Sequence, residues 1–503
     1  MEIEKAAKLD MKFFWLSNCL YILWGIAYLF AGILHPDEST YIYASKIVYN
    51  GMIPYRDFLY IQTPLFPYLY GFFIKIIGYP FITGRFIGLL IGFLIMFFIR
   101  RLTRRFGDEN AVFVATALYI FCSCIIYFTV IVRSFTPVML FLLIAADSYF
   151  WSKPKFLKYV MPPFFFALSV SSRLTMLPML CVILLFYIIT EWKKPKNMLL
   201  ALASGIITLL MFNLPFYILS DGRMYWNTFK LHTMFAPPTY FLFYMRKFEF
   251  IWLSMQDFFF FMLLLAISVF YWISKHPLEM IRRNPYYFAL AAALALTTAG
   301  HLSANYTQET YSTSLYPLSC SLLAVAFVHI WKNEIGKLTN NTKMTIILLG
   351  FAWYIQYGTR SIRFIEGKPI MLYLQKVGNE IRKATRGEGY MLSHDTPTLA
   401  LFSNHDMLSG TENCEYFPDY TEEQCRYYHV LNDRIIADEI KNRKPSVIVV
   451  SDQSFKIFFP PNRPCFGKQE YFFSLLKKHY KLYKTVPYQF LPETAHSYIY
   501  IRE

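Results

Sequence analysis

Leu34-His35-Pro36-Asp37-Glu38-Ser39-Thr40-Tyr41 is the stretch on which the reading turns. It follows an apolar segment, 13–33, that has the roughly 20 residues needed to cross a hydrocarbon core, and it sets two adjacent carboxylates at that segment's end. Beyond it, Tyr41, Ile42, Ser45, Val48 and Tyr49 recur with a helical period, and Asn50-Gly51 is a stop signal. The spacing predicts an amphipathic helix lying along a membrane surface with its apolar face in the interface. Asp37 stands at or just before the N-terminus of that helix, where the helix dipole favours an ionised carboxylate by about 0.3–1 kcal/mol. An N-cap accounts equally well for an Asp at this place, and Glu38 fits simple complementarity to the same dipole.

The rest of the chain sets this segment in a membrane protein. Of 503 residues, 56% are hydrophobic and only 16% charged, against roughly 45–50% and about 25% in soluble domains. Such hydrophobicity excludes disorder, and 21 Gly and 8 Cys exclude collagen-like and disulfide-scaffold classes. Apolar stretches near 13–33, 81–99, 111–131, 137–151, 157–172, 174–190, 198–219, 256–274, 285–303, 312–331 and 344–358 predict a polytopic α-helical membrane protein of about eleven spans. With the N-terminus inside, every inner loop holds at least three Lys or Arg, as in Arg100, Arg101, Arg104 and Arg105, so the positive-inside rule absorbs the net charge of +16. Nucleic acid is thereby not expected as a partner. The first segment lacks a small-residue cleavage site and reads as a signal anchor. The expected location is the cell membrane, multi-pass, with the long loops 34–80 and 220–255 and the C-terminal stretch outside.

That stretch changes pattern. Helices near Lys368–Arg386, Asn432–Lys444 and Lys468–His479 alternate with strands at Tyr390–Ser393, Ser446–Ser451, Tyr480–Val486 and His496–Ile501, and Val447-Ile448-Val449-Val450 has the short β-branched character of a buried strand. The expected division is a membrane domain over 1–358 and an extracytoplasmic α/β domain over 359–503. Outside the cytoplasm a Cys414–Cys425 bridge is open to the chain, but three cysteines with Cys465 show no metal-ligand spacing.

After the opening stretch come Tyr55-Arg56-Asp57, then Gln62-Thr63-Pro64-Leu65 leading an aromatic run, then Gly84-Arg85 at the second span. In this order and topology the series resembles the lipid-linked-sugar glycosyltransferases of the GT-C fold, and within them glycosyltransferase family 39, which holds the protein O-mannosyltransferases and lipid A aminoarabinose transferases. The resemblance runs over about 1–190, continues loosely to 358, and is only architectural beyond. It implies an inverting glycosyltransferase acting at the outer face on a polyprenyl-phosphate sugar, with a protein, lipid or polysaccharide acceptor. It places Asp37 as the catalytic base and Glu38 as the neighbour that shapes the site. Arg56, Arg85 and Arg133 are outer-face cations for the donor phosphate, since a guanidinium fork pairs with phosphate oxygens. Asp57, Gln62, His232 and His301 are further substrate-binding candidates. Two departures stand out. Relatives often carry a Lys before the Pro-Leu of the loop, where this chain has Gln62. Many also have an acid between spans three and four, where it reads Arg133-Ser134-Phe135. No metal is therefore assigned, and use of a divalent ion stays open.

Arg173 stands at an outer span end, where a long basic side chain usually snorkels. Asp147 and Asp108-Glu109 read as solvated charges of inner loops. Asn305-Tyr306-Thr307 fits a glycan-acceptor tripeptide that arises often by chance. A transporter or lipid flippase is the alternative from another class; such proteins place ionisable groups mid-span, whereas here the charges gather at span ends.

Overall fold

The computed structural model describes residues 2–151, 154–234, 240–257, 262–268, 284–303, 309–336, 338–393, 397–414, 417, 419–452, 469–487 and 495–503. Part of the predicted span 256–274, the tripeptide at Asn305 and Cys465 lie outside these.

The membrane part is a helical bundle. Helix α1 (Glu2–Ala31) is followed by α2 (Pro36–Val48), α3 (Leu65–Ile77), α4 (Pro80–Phe106), α5 (Glu109–Ile120), α6 (Ser123–Val130), α7 (Phe135–Ser148), α8 (Leu157–Ser172), α9 (Leu177–Thr190) and α10 (Pro195–Leu219). Helix Tyr240–Asp257, mostly within the stretch expected as a long loop at 220–255, is followed by Pro285–Ser303, Tyr316–Glu334 and Asn340–Gly358, which stand where apolar stretches fall. Among the described residues, three helices are long and apolar enough to cross a bilayer alone: Met11–Ala31, Pro80–Phe106 and Pro195–Leu219. The stretch expected as one span at 111–131 is instead the pair α5 and α6, bent by 69° at the break between them. The turn between α6 and α7 that follows carries Arg133.

Close packing of α4 on α6 depends on a stripe of small residues, Gly84, Gly88 and Gly92, one helical turn apart. A Cβ at Gly88 would lie 2.5 Å from the carbonyl oxygen of Val130, a distance real carbon atoms do not adopt. Small residues at such spacing let two backbones approach where lipid offers no hydrophobic drive.

Helix α2 departs from expectation. It was to lie in the membrane interface, but Glu38, Ser39, Tyr41, Ile42, Tyr43, Ala44, Ser45, Ile47 and Val48 are all buried. Its apolar face meets α3 on one side, and Tyr43 accepts a hydrogen bond from the Met407 amide of the C-terminal part on the other (2.8 Å). Protein, rather than lipid, covers it.

The C-terminal part carries a five-stranded sheet in the order β4-β3-β5-β7-β6, formed by β3 (Tyr390–Ser393), β4 (Asp406–Met407), β5 (Pro445–Ser451), β6 (Tyr480–Pro487) and β7 (His496–Arg502) after a small hairpin of β1 (Phe364–Ile365) and β2 (Lys368–Pro369). Strands β4, β3 and β5 run parallel, while β7 and β6 are antiparallel additions. Every residue of β5 is buried, as its unbroken apolar run requires. The strands expected at 390, 446, 480 and 496 are present; β4, only two residues long, left no periodicity to read. The Cys414 thiol donates to the carbonyls of Ser393 and Thr411, and Cys425 is buried in a different cluster, so no bridge joins the two.

Candidate active site

Helix α2 begins with a cap made by an unexpected residue. His35 occupies the N-cap position, its Nδ1 accepting from the Asp37 amide (3.2 Å), and Pro36 follows at the first helical position. His35 thus fills the capping position, and Asp37 lies one residue inside the helix rather than at the N-cap that its position alone allowed.

The carboxylate instead meets Arg133 from the α6–α7 turn, Oδ2 to Nη2 at 2.5 Å. Arg133 is 2% exposed, whereas the Asp37 side chain is 40% exposed, so the pair has a dry cationic side and an open anionic side. The guanidinium lies between Phe128 and Phe135, 5.5 and 4.5 Å from their ring centres, and its Nη1 is 3.1 Å from His35 Nε2. Burial acts to raise the Asp37 carboxyl, but the charge of Arg133, with that of Arg173 beyond it, outweighs it and holds the group below the usual carboxylate value. Burial, then the charge of Arg133, pushes the His35 imidazole down to about 3, which leaves it neutral.

Arg173, the first residue after α8, shares the Phe135 ring with Arg133, 4.4 Å from its centre, and stacks 4.8 Å from Tyr311 on its other side. It does not snorkel: it is buried, and its nitrogens donate to Ser134 Oγ and Thr175 Oγ1, both at 3.1 Å. Those acceptors are neutral. His301, buried on Pro285–Ser303, meets Tyr311 edge to face at 5.7 Å. His232 is hydrogen-bonded through Nε2 to the Ile61 carbonyl (3.1 Å) and feels the charges of both Arg173 and Asp37. The structure thus gathers Asp37, Arg133, His232 and His301 around a cation, Arg173, whose place at a span end suggested only snorkelling.

Arg85 is a correction. Its guanidinium is wholly buried against Glu38, with Nε to Oε1 and Nη2 to Oε2 both at 2.7 Å. Its remaining hydrogens reach the carbonyls of Tyr28 (2.8 Å), Gly32 (3.0 Å) and Ile33 (3.4 Å) at the end of α1. A guanidinium has five donors, and all are engaged, so none is left for a phosphate. Glu38 accepts in addition from the Val132 amide (3.2 Å), which ties α2, α4 and the approach to Arg133 at one buried point. It orders the site without facing it.

Arg56 and Asp57 form their own bidentate pair, 2.8 and 2.9 Å, at the seam with the C-terminal part. There His429 Nε2 approaches the Arg56 carbonyl at 2.6 Å, Arg223 donates to the Tyr427 carbonyl at 3.0 Å, and Trp226 stacks on Tyr428 at 4.0 Å. Gln62 contributes its carbonyl to the Tyr55 hydroxyl (2.5 Å). No contact brings these three into the Asp37 cluster among the described residues.

Among the described residues, no group of three or more His, Cys, Asp or Glu is placed to hold a metal ion. The groups nearest Asp37 are two arginines and neutral rings, a set that does not suit a divalent ion. Asp147, expected in solvent, is buried between Arg101 (2.7 Å) and Arg105 (3.5 Å). Asp108 caps α5 through the Ala111 amide (3.2 Å).

This architecture, a bent helical bundle with a buried helix after the first long one and a C-terminal sheet, is the GT-C fold. ArnT from Cupriavidus metallidurans, solved in the apo state, superposes with a TM-score of 0.57 at 12% identity, covering 90% of this chain and 95% of that one. The same protein bound to undecaprenyl phosphate gives 0.57 at 11% identity over the same shares. The archaeal oligosaccharyltransferase AglB from Archaeoglobus fulgidus, in complex with an inhibitory peptide and a dolichol-phosphate, gives 0.52 at 12% identity over 98% of this chain and 74% of that one. More particularly, residues 62–218 match the family model of dolichyl-phosphate-mannose-protein mannosyltransferases. No curated protein matches the chain.

Proposed function

We propose that this chain is an inverting glycosyltransferase that moves a sugar from a polyprenyl phosphate to an acceptor at the outer face of the membrane. The observation that carries the reading is the Asp37 carboxylate, held ionised by buried arginines yet open on one side. A group that must take a proton from an acceptor hydroxyl needs both properties, and general-base help of this kind contributes typically about 10²–10⁴-fold. The fold is shared with an ArnT that holds undecaprenyl phosphate and an AglB that holds a dolichol-phosphate, which supports the lipid-borne donor.

In the proposed reaction the acceptor oxygen attacks the anomeric carbon and its proton passes to Asp37. The bond from that carbon to the phosphate oxygen breaks, and its electron pair leaves with the lipid phosphate. Charge growing on the phosphate is stabilised most by a fixed cation that has no carboxylate of its own. Arg173 fits that description, because its hydrogen bonds go to hydroxyls. Arg133 serves both sides, since it touches Asp37 and shares a ring with Arg173. Arg56 and Asp57 act at the seam with the C-terminal part. His232 and His301 line the donor side.

Membranes carrying the protein and supplied with a radiolabelled polyprenyl-phosphate sugar test the assignment. Asp37→Asn is expected to lose transfer by at least about 10²-fold with normal expression. Full activity in that variant refutes Asp37 as base, and labelled lipid crossing the bilayer without cleavage would favour the flippase reading.

A further inference from the structure

The far end of α4 holds a feature the transfer reaction does not use. Arg85 and Arg100 are separated by fifteen residues, about 22 Å along the helix, so the run Arg100, Arg101, Arg104, Arg105 lies at the opposite end of the bundle from Asp37. These four arginines line a groove between α1 and α4 with a volume of about 540 Å³. Its other wall is apolar, formed by Phe14, Phe93 and Phe97, all of them substantially exposed.

Orientation of a membrane protein accounts for basic residues in a loop, but not for the placement of Arg100. It is drawn back into the groove, 8% exposed. There it donates to Asn18 Oδ1 (3.1 Å) and Ser17 Oγ (2.6 Å) and stacks on Phe14 at 4.4 Å. Among the described residues its partners are all neutral. Around it, Arg101 and Arg105 share the single carboxylate of Asp147, and Arg104 is balanced by Glu109. Among the described residues, four cations thus face two carboxylates. A buried charge is stable only when compensated, and the compensation on offer in a groove walled by exposed aromatic rings on membrane-crossing helices is an anion that carries its own hydrocarbon.

We infer that this groove binds an anionic glycerophospholipid, its headgroup phosphate on Arg100 and Arg104 and its acyl chains along Phe14, Phe93 and Phe97. The site is separate from the proposed donor site and stands whether or not that reading holds.

The test uses the full-length protein purified in a neutral detergent. Native mass spectrometry and thermal unfolding are followed with added palmitoyl-oleoyl-phosphatidylglycerol, palmitoyl-oleoyl-phosphatidylcholine or inorganic phosphate. The expected result is one retained phosphatidylglycerol and a raised melting point, with little effect of the other two. Arg104→Gln, on an exposed side chain that folding does not need, is expected to weaken retention at least about fivefold, and Arg100→Gln more. Glu109→Gln, which frees Arg104, is expected to strengthen it, an outcome that misfolding cannot imitate. Equal retention of the zwitterionic lipid would show general lipid contact and overturn the proposal. So would equal protection by inorganic phosphate, or retention unchanged in both Arg104→Gln and Glu109→Gln.

Discussion

Glu38→Gln is the perturbation whose cost can be worked most directly from the geometry. In the native site both carboxylate oxygens lie 2.7 Å from Arg85, and both side chains are fully buried. The amide keeps the shape but offers one acceptor where two guanidinium N–H groups and the Val132 amide converge, and it leaves a full positive charge without a counter-charge. Breaking a buried pair from one side costs about 3–5 kcal/mol, most of it the price of the stranded partner. Because Arg85 also holds the carbonyls at the end of α1, the loss reaches the turn that presents Asp37. Reversible unfolding in mixed micelles, titrated with a denaturing detergent, gives the free energy, and a cycle with Arg85→Met isolates the pair. The expectation is a loss of about 3–5 kcal/mol for Glu38→Gln and a coupling of about 0.5–3 kcal/mol between the two changes. A Glu38→Gln protein within about 1 kcal/mol of wild type but unable to catalyse transfer would refute the reasoning and return Glu38 to a direct role in the chemistry.

Arg173→Gln should lower kcat/KM for the lipid-linked donor by about 10–100-fold, the worth of one charge-assisted hydrogen bond. It should leave unfolding unchanged or slightly more difficult, because a buried cation without its own carboxylate has been removed; a simultaneous loss of stability would mark the residue as structural. The pH dependence of stability has a definite sign. His35 is neutral in the folded chain down to about pH 3 but takes up a proton near pH 6.5 when unfolded, so the unfolded state binds the extra proton between those values. Stability contributed by His35 is therefore lost as pH falls from 6.5, by about 1.4 kcal/mol per pH unit, and His35→Asn should show a slope shallower by that amount between pH 6 and 4. Asp37, depressed in the folded state, acts lower: its pairing is intact above the usual carboxylate range and is lost only as pH falls through its own depressed value. Trp226→Ala, which removes the ring stacked on Tyr428, should cost about 3–5 kcal/mol and speed hydrogen exchange in Glu422–Tyr428 first; uniform exchange across the bundle would contradict a local seam.

Much of the scaffold was legible because its signals are local. Apolar stretches marked the helices, the β-branched run marked β5, and Asn50-Gly51 marked the end of α2. The site was legible only in part. Asp37 could be picked out from its place after the first span, but its neighbours come from turns far along the chain. Nothing near Glu38 announces Arg85, and nothing near Arg173 announces that Phe135 and Tyr311 hold it inside. Cation partners are decided by tertiary packing, which one sequence does not display. The same holds for Asp147, whose inner-loop position suggested solvent although two arginines on α4 enclose it. His35 was within reach: a His directly before Pro-Asp at a helix start is a candidate cap, and reading it so would have freed Asp37 at once.

The contact between Asp37 and Arg133 has a consequence for timing. On the proposed reading it works as a latch: a base clasped by a guanidinium is a weak proton acceptor, and the clasp loosens when a second anion arrives to claim the same cation. A lipid phosphate settling beside Arg173 is such an anion. Substrates would then enter in a compulsory sequence, donor ahead of acceptor, and the sugar would meet an awakened carboxylate only once its carrier is seated.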